Sequence, residues 1–470
     1  MARVYILFVV FFGSAFLLNG QIMFERTYGG PSADIGFCVQ QTLDDGYALF
    51  GITQNNTSGF QDMYLIKTDE YGDTLWSHTY GTVNMDMGYS ADETSDGGFI
   101  LAGMFGGFGT DTLTLIRVDQ NGDPIWTGQF PGTLGRDIGF SVLETSDGGF
   151  AVCGFTQGIS GEDVYLVRTD ANGNELWSHT VDLGGSEVGW AMEQTQDDGF
   201  IVLANSYLFA DSTGDVHLIR FAANGDSLWT KTFFVPGPDE SHGLTMTADG
   251  GFVIVGGNGY PSRDLLIIKA DQDGNELWRH VDATQEDDLG MDVKEMVNGD
   301  LIIAGRRENI TTTAIETYLV CTDGTGAGLW NRSYSHGIFS ECNSLDVTSD
   351  GGFVLFGSTS DTLNGSLLID MLLIKTDGAG YTYVERIADA AEPIVLYPNP
   401  ANSTVWIEPG TLHPGQVSVV DASGKQLLHQ YLNGVSPSSL DLGSLTSGSY
   451  WAVFTLENGG SIGQAFVIAK

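Results

Sequence analysis

Short apolar runs separated by glycine turns dominate the hydrophobic pattern of this chain. Phe150-Ala151-Val152-Cys153-Gly154 and Phe252-Val253-Ile254-Val255-Gly256 each follow an Asp-Gly-Gly turn and read as compact buried strands. Tyr64-Leu65-Ile66-Lys67 and Tyr165-Leu166-Val167-Arg168 are a second kind of strand, each leading into a glycine turn and then a tryptophan. Trp76 to Tyr80 is a short aromatic and β-branched run, and Phe140-Ser141-Val142-Leu143 stands before an Asp-Gly-Gly turn. No helical 3.6-residue period is sustained over a comparable length, so the pattern predicts strands throughout.

These strands repeat. Trp76, Trp126, Trp177, Trp229, Trp278 and Trp330 follow one another at intervals of 50, 51, 52, 49 and 52 residues. Each closes the phrase basic-x-Asp-x-x-Gly-x-x-x-Trp, with Ala222 replacing the Asp in the fourth copy and Cys321 replacing the base in the sixth. A seventh copy keeps Lys375, Asp377 and Gly380 but has Val384 at the Trp position. A second phrase, Thr-Ser-Asp-Gly-Gly-Phe at Thr94–Phe99 and its relatives, also counts seven. Two phrases sharing one period of about 50 residues, with four strands in each, predict an all-β, seven-bladed β-propeller. The predicted organisation is a signal segment at 1–20, the propeller at 21–387, a linker at 388–394 and a small immunoglobulin-like β-sandwich at 395–470. Phe24-Glu25-Arg26-Thr27 and Val384-Glu385-Arg386-Ile387 both resemble the start of the Trp strand. One of them should close the ring and cover an open sheet edge, and the sequence leaves the choice between them open.

Composition narrows the partners. With 19 basic and 60 acidic residues the net charge is −41, which opposes nucleic acid and anionic membrane surfaces. Arg3 followed by the apolar run Val4–Leu18 reads as an export signal, shorter than the ~20 residues of a membrane span. No later segment is long and apolar enough to serve as a transmembrane segment. Cys38, Cys153, Cys321 and Cys342 fit neither a zinc spacing nor a dense disulfide framework, and their pairing stays open.

The repeated Asp-x-x-Gly-x-x-x-Trp phrase resembles the tryptophan-docking motif of quinoprotein-type propellers. That resemblance implies that Trp76, Trp126, Trp177, Trp229, Trp278 and Trp330 pack between adjacent blades. Quinone-dependent members use eight blades and an adjacent cysteine pair, which this chain lacks, so packing is carried over and quinone chemistry is not. After residue 394 come Tyr397-Pro398-Asn399-Pro400, then Asp421 with Gly424-Lys425, then Gly448 and Tyr450. In this order they resemble the C-terminal sorting domain of type IX secretion substrates. One departure is Gln464, in a region often rich in lysine. The resemblance implies two partners, an outer-membrane secretion translocon and a C-terminal signal peptidase cutting near residues 388–396. It also implies a protein secreted from, or attached at the outer surface of, a Gram-negative cell.

Three catalytic signatures are absent: there is no His-Glu-x-x-His, no phosphate loop and no Cys-x-x-Cys. His78, His179 and His280 each stand two residues after a Trp, a spacing that spreads them around the ring. Loops such as Asp119–Asp123 place Gly fourth, where a tight turn wants it, not sixth as in a calcium loop. An acid opens six of the seven repeats: Asp34, Asp86, Asp137, Glu187, Asp239 and Asp288, with Ser340 in the seventh. Were that strand innermost, these acids would ring one channel mouth and recruit a cation such as Ca²⁺. The alternative is that each caps a turn in its own blade. A second repeated acid (Asp62, Asp163, Asp215, Asp264, Glu316, Asp370) lies five residues before the basic position, on the opposite strand face.

An export tag without a catalytic set favours an extracellular binding protein for a glycan or protein ligand. A hydrolase or lyase with residues on the non-repeat loops Val235–Pro238, Arg306–Asn309 or Asn205–Asp211 is one alternative. A structural adhesion or surface-layer component is another.

Overall fold

The computed structural model describes residues 21–470 apart from segments 56–59, 108, 110, 209–212, 235–238, 260–261, 283, 285, 309–312, 364–365, 383–393, 409–413, 421–425, 433–437 and 457–460. The signal segment, the linker and the Val384–Ile387 copy lie outside the described residues. The chain divides into two compact units, residues 1–382 and 383–470.

The first unit is a ring of seven antiparallel blades. In the first, Asp34–Gln41, Tyr47–Thr53, Asp62–Thr68 and Thr74–Tyr80 pair in chain order. The next five blades repeat this meander, ending at Tyr334. The seventh supplies Phe339–Val347, Phe353–Leu363 and Ser366–Thr376, and its fourth strand comes from the other end of the unit, Phe24–Tyr28. A single parallel bridge, Ile315 to Phe339, ties the sixth blade to the seventh. Phe24 pairs with Lys375 as Trp76 pairs with Lys67, so the N-terminal strand closes the ring with Phe24 in the tryptophan place.

Burial follows from position in the blade. The second strand of each blade is covered on both faces, and Phe150–Phe155 is buried without a break. The outer strand meets solvent, so Thr74–Tyr80 alternates between exposed and covered. The core is therefore divided into layers between blades; Phe50, Met63 and Leu65 of the first pack with Phe99, Leu101 and Ile116 of the second.

Two devices fix the blades. Within a blade, the basic residue of the third strand reaches the aspartate of the Asp-Gly-Gly turn. Lys67 lies 2.8 Å from Asp44, Lys269 2.8 Å from Asp249 and Lys375 3.0 Å from Asp350. Arg117, Arg168 and Arg220 pair likewise with Asp96, Asp147 and Asp197. Between blades, each tryptophan covers the turn glycine of the next: Trp76 over Gly122, Trp126 over Gly173, Trp177 over Gly225, Trp229 over Gly274, Trp278 over Gly326 and Trp330 over Gly380. Phe24 over Gly72 completes the circle. Among the outer-strand tyrosines, Tyr28, Tyr80 and Tyr334 donate to the carbonyls of Gly72, Gly122 and Gly380 at 2.6, 2.8 and 2.6 Å.

The second unit has two antiparallel sheets. Val395–Tyr397, Thr404–Glu408 and Ser438–Asp441 form one; Gln426–Tyr431, Pro414–Val420, Gly448–Leu456 and Ser461–Ile468 form the other. Leu396, Val405, Ile407 and Leu440 from the first meet Val417, Val419, Ala452 and Phe454 from the second in one core. Among the described residues no helix is long and apolar enough to cross a membrane.

Candidate functional site

The seven inner strands line a common channel, and every one of them carries a bulge at the same place. Pairing shifts between Gly36 and Cys38, between Gly88 and Ser90, and at the equivalent step in the other five blades. The extra residue turns into the lumen. These residues are Phe37, Tyr89, Phe140, Trp190, His242, Met291 and Asn343, all half-buried linings of one cavity of about 280 Å³. Five of them form a continuous aromatic arc. Ring centroids are 5.2 Å apart for Phe37–Tyr89, 4.7 Å for Tyr89–Phe140, 4.6 Å for Phe140–Trp190 and 5.0 Å for Trp190–His242. Gly88 beside the bulge admits the close approach of the first blade, since a Cβ there would lie 2.4 Å from the Phe50 ring. Burial pushes His242 down to about 4, so its imidazole is neutral at ordinary pH. The Trp190 indole N–H is buried and has no hydrogen-bond partner among the described residues.

Further along the same strands the lumen turns polar. Asp92 accepts the Glu144 amide at 2.8 Å, Asp292 the Leu345 amide at 2.8 Å and Asp346 the Gln41 amide at 2.9 Å, so each carboxylate ties its blade to the next. Lys294 lies among them, 4.0 Å from Asp292, which holds its ammonium above the ordinary lysine range. Burial raises Asp92, Glu193 and Asp346. The channel thus joins an aromatic collar to a charged floor, an arrangement suited to stacking a flat or ring-shaped ligand while hydrogen-bonding its edge.

The acids that open the repeats lie elsewhere. Asp34, Asp86, Asp137, Glu187, Asp239 and Asp288 are buried at the start of each inner strand, and their partners are local. Asp34 accepts from the Gly30 amide and Asn55, Asp86 from Thr82 and the Gly106 amide, and Asp137 from the Gly132 amide and Thr156. Glu187 accepts from the Gly185 amide, Asp239 from Asn258, and Asp288 from Arg307 and Thr284. Each carboxylate therefore serves its own blade and the loop leading into it. Among the described residues, only Glu187 is drawn into a cluster of three acids, with Asp163 and Asp182.

The remaining candidates are placed as follows. Trp76 and His78 have ring centroids 5.4 Å apart, as do Trp177–His179 at 5.3 Å and Trp278–His280 at 5.2 Å, on the outer strands of different blades. Asp119 accepts the Asn121 and Asp123 amides at 2.8 and 3.0 Å, the bonding of a turn. Arg307 clasps Asp288 and Glu286 and lies 3.7 Å from the Tyr318 ring centroid, while Arg306 reaches Glu341 at 3.6 Å. Val235–Pro238 and Asn309 fall outside the described residues. All four cysteines are free thiols. In the second unit Tyr397, Pro398, Asn399 and Pro400 lead into the sandwich, and Asn399 accepts the Val467 amide at 2.9 Å. Tyr450, two residues beyond Gly448, donates to the Thr446 carbonyl at 2.9 Å. Asp421, Gly424 and Lys425 lie outside the described residues.

The collar was not singled out from the sequence. Its signal was present three residues after each repeated acid, where Phe37, Tyr89, Phe140 and Trp190 stand, but the bulge breaks the two-residue alternation that would have pointed them inward.

Comparison with known proteins bears on both units. Residues 160–337 match the family described as outer membrane protein assembly factor BamB, and residues 395–469 match the secretion system C-terminal sorting domain. No curated protein matches the chain. Among solved structures it is similar to the periplasmic gluconolactonase PpgL of Pseudomonas aeruginosa, at 13% identity and TM-score 0.45 over 74% of this chain and 98% of that one. It is also similar to Sqt1 of Chaetomium thermophilum bound to the N-terminus of ribosomal protein L10, at 11% identity and TM-score 0.46 over 74% and 98%. The Neurospora crassa Pan2 WD40 domain matches at 11% identity and TM-score 0.42 over 73% and 89%. The chain is a β-propeller with BamB-like repeats that carries a type IX secretion C-terminal sorting domain, and it is a secreted or cell-surface-attached protein.

Proposed function

We propose that this is an extracellular binding protein whose ligand, a neutral glycan segment, is held in the propeller channel. The observation that carries the reading is the aromatic arc Phe37–Tyr89–Phe140–Trp190–His242, next to an indole N–H with no partner among the described residues. Aromatic faces stack on the apolar faces of sugar rings, and a desolvated donor beside them is costly until a ligand oxygen accepts from it. A cavity of about 280 Å³ is at the small end of ligand sites and suits one or two sugar units of a longer chain. The charge of −41 disfavours acidic polymers. A secreted or surface-attached location, which the sorting domain indicates, is compatible with an extracellular ligand.

Saturable binding of the purified chain to one member of an immobilised polysaccharide panel is the expected result. Turnover of a bound polymer would replace the binding role with an enzymatic one. Binding to protein surfaces with no polysaccharide retained would overturn the glycan assignment.

A further inference from the structure

The seven junctions between blades are built alike, which allows one to be read against the others. At each, the acid or serine opening an inner strand faces the start of the third strand in the preceding blade. At the junction between the fifth and sixth blades, Arg307 supplies the positive charge, at 2.6 and 3.0 Å from Asp288 and 2.9 Å from Glu286. At the junction between the second and third, Arg136 lies 3.6 Å from Asp111 and 3.0 Å from Glu162. Between the third and fourth blades three carboxylates meet with no arginine or lysine paired to any of them among the described residues.

Those carboxylates are Asp163 on the third strand of the third blade, Asp182 just beyond its outer strand, and Glu187 on the inner strand of the fourth. One oxygen from each lies within 4.8 Å of the others. Two oxygens bound to one calcium ion at about 2.4 Å can be no more than about 4.8 Å apart, so the spacing fits a shared ion. Glu187 is fully buried; its Oε1 accepts the Gly185 amide at 2.6 Å, and its Oε2 has no hydrogen-bond partner among the described residues. A buried carboxylate oxygen left bare beside two other acids is strongly disfavoured without a cation. Asp182 is exposed and leaves a path from solvent.

We infer that Asp163, Asp182 and Glu187 form a divalent-cation site joining the third and fourth blades, with Ca²⁺ the ion that fits. All donors are hard oxygens, which disfavours zinc and copper. Three protein ligands on an open edge leave places for water, which calcium accepts with flexible geometry. The site is distinct from the channel and acts on the ring itself: the ion supplies the positive charge that Arg136 and Arg307 bring to two other junctions.

The test is calcium titration of the chelator-stripped full chain by calorimetry, with melting followed in parallel. The wild type should show a saturable site with a dissociation constant of roughly 10⁻⁵–10⁻³ M, and melting should shift upward with calcium. Asp182→Asn, at an exposed position that leaves the fold intact, and Glu187→Gln should each weaken that site at least about tenfold. Asp119→Asn, in an exposed turn, should leave it unchanged. No saturable binding by about 10 mM calcium, or binding that neither Asp182→Asn nor Glu187→Gln alters, would overturn the assignment.

Discussion

Trp76 of the first blade lies over Gly122 of the second so closely that a Cβ at residue 122 would come within 2.8 Å of the indole ring. Gly122 also has a φ of 83°, a conformation that costs any L side chain. Tryptophan and glycine are therefore required together, one as the packing body and the other as the space it fills. Gly122→Ala should destabilise the propeller by about 1–3 kcal/mol from backbone strain and overpacking together. Trp76→Ala should cost about 2–4 kcal/mol. Leu75→Ala, at a neighbouring exposed residue, should stay within about 0.5 kcal/mol. Chemical denaturation midpoints of the three variants check the order.

Ring closure by Phe24–Tyr28 gives a second expectation. Removing residues 21–28 bares the edge of Ser366–Thr376, and an unpaired edge invites pairing with another chain. The truncated protein should self-associate in size-exclusion light scattering and melt earlier than the intact one. Tyr28→Phe should remain monomeric and lose about 1 kcal/mol, the value of its bond to the Gly72 carbonyl.

Acid should loosen the blades through their turn aspartates. Lys269 and Thr247 beside Asp249, opposed by partial burial, hold its carboxyl down at about 2. Asp44, Asp96, Asp147, Asp197 and Asp350 are lowered too, each beside its own lysine or arginine. A lowered folded-state pKa gives stability that is full above the unfolded value near 4 and is lost as pH falls through the folded value. The melting difference between wild type and Asp249→Asn should thus be complete at about pH 5 and vanish only below about pH 2. A difference that does not change with pH would contradict the ion pair's role.

Much of this architecture was legible in the chain because it depends on residue types that repeat. Trp76, Gly122 and their copies recur since every junction needs the same body and the same gap, so period and blade number could be read directly. Lys67 and Asp44 were each visible, but their pairing was not, because it crosses from the third strand to the turn before the second. The choice of closing strand was also hidden: Phe24 and Val384 begin similar phrases, and only pairing with Lys375 distinguishes the strand that is used. The channel residues vary from Phe37 to Asn343, since a side chain turned into the lumen makes none of the packing contacts that every blade shares, and repetition was the strongest signal available. The acid cluster at Glu187 depends on Asp163 and Asp182 of the preceding blade, which no single repeat reveals.

The sorting domain predicts location. A chain lacking residues 395–470 should keep a folded propeller, since the two units have separate cores, yet remain in the periplasm. Fractionation with an antibody to the propeller checks this; surface or medium localisation of the truncated chain would contradict it.

The most direct test of the proposed role is polysaccharide binding by the full chain beside its Trp190→Ala variant, with circular dichroism confirming that both are folded. The account predicts saturable binding by the wild type and at least about a tenfold loss on removing the Trp190 ring from the collar. Equal binding by both proteins would place the ligand outside the channel and contradict it.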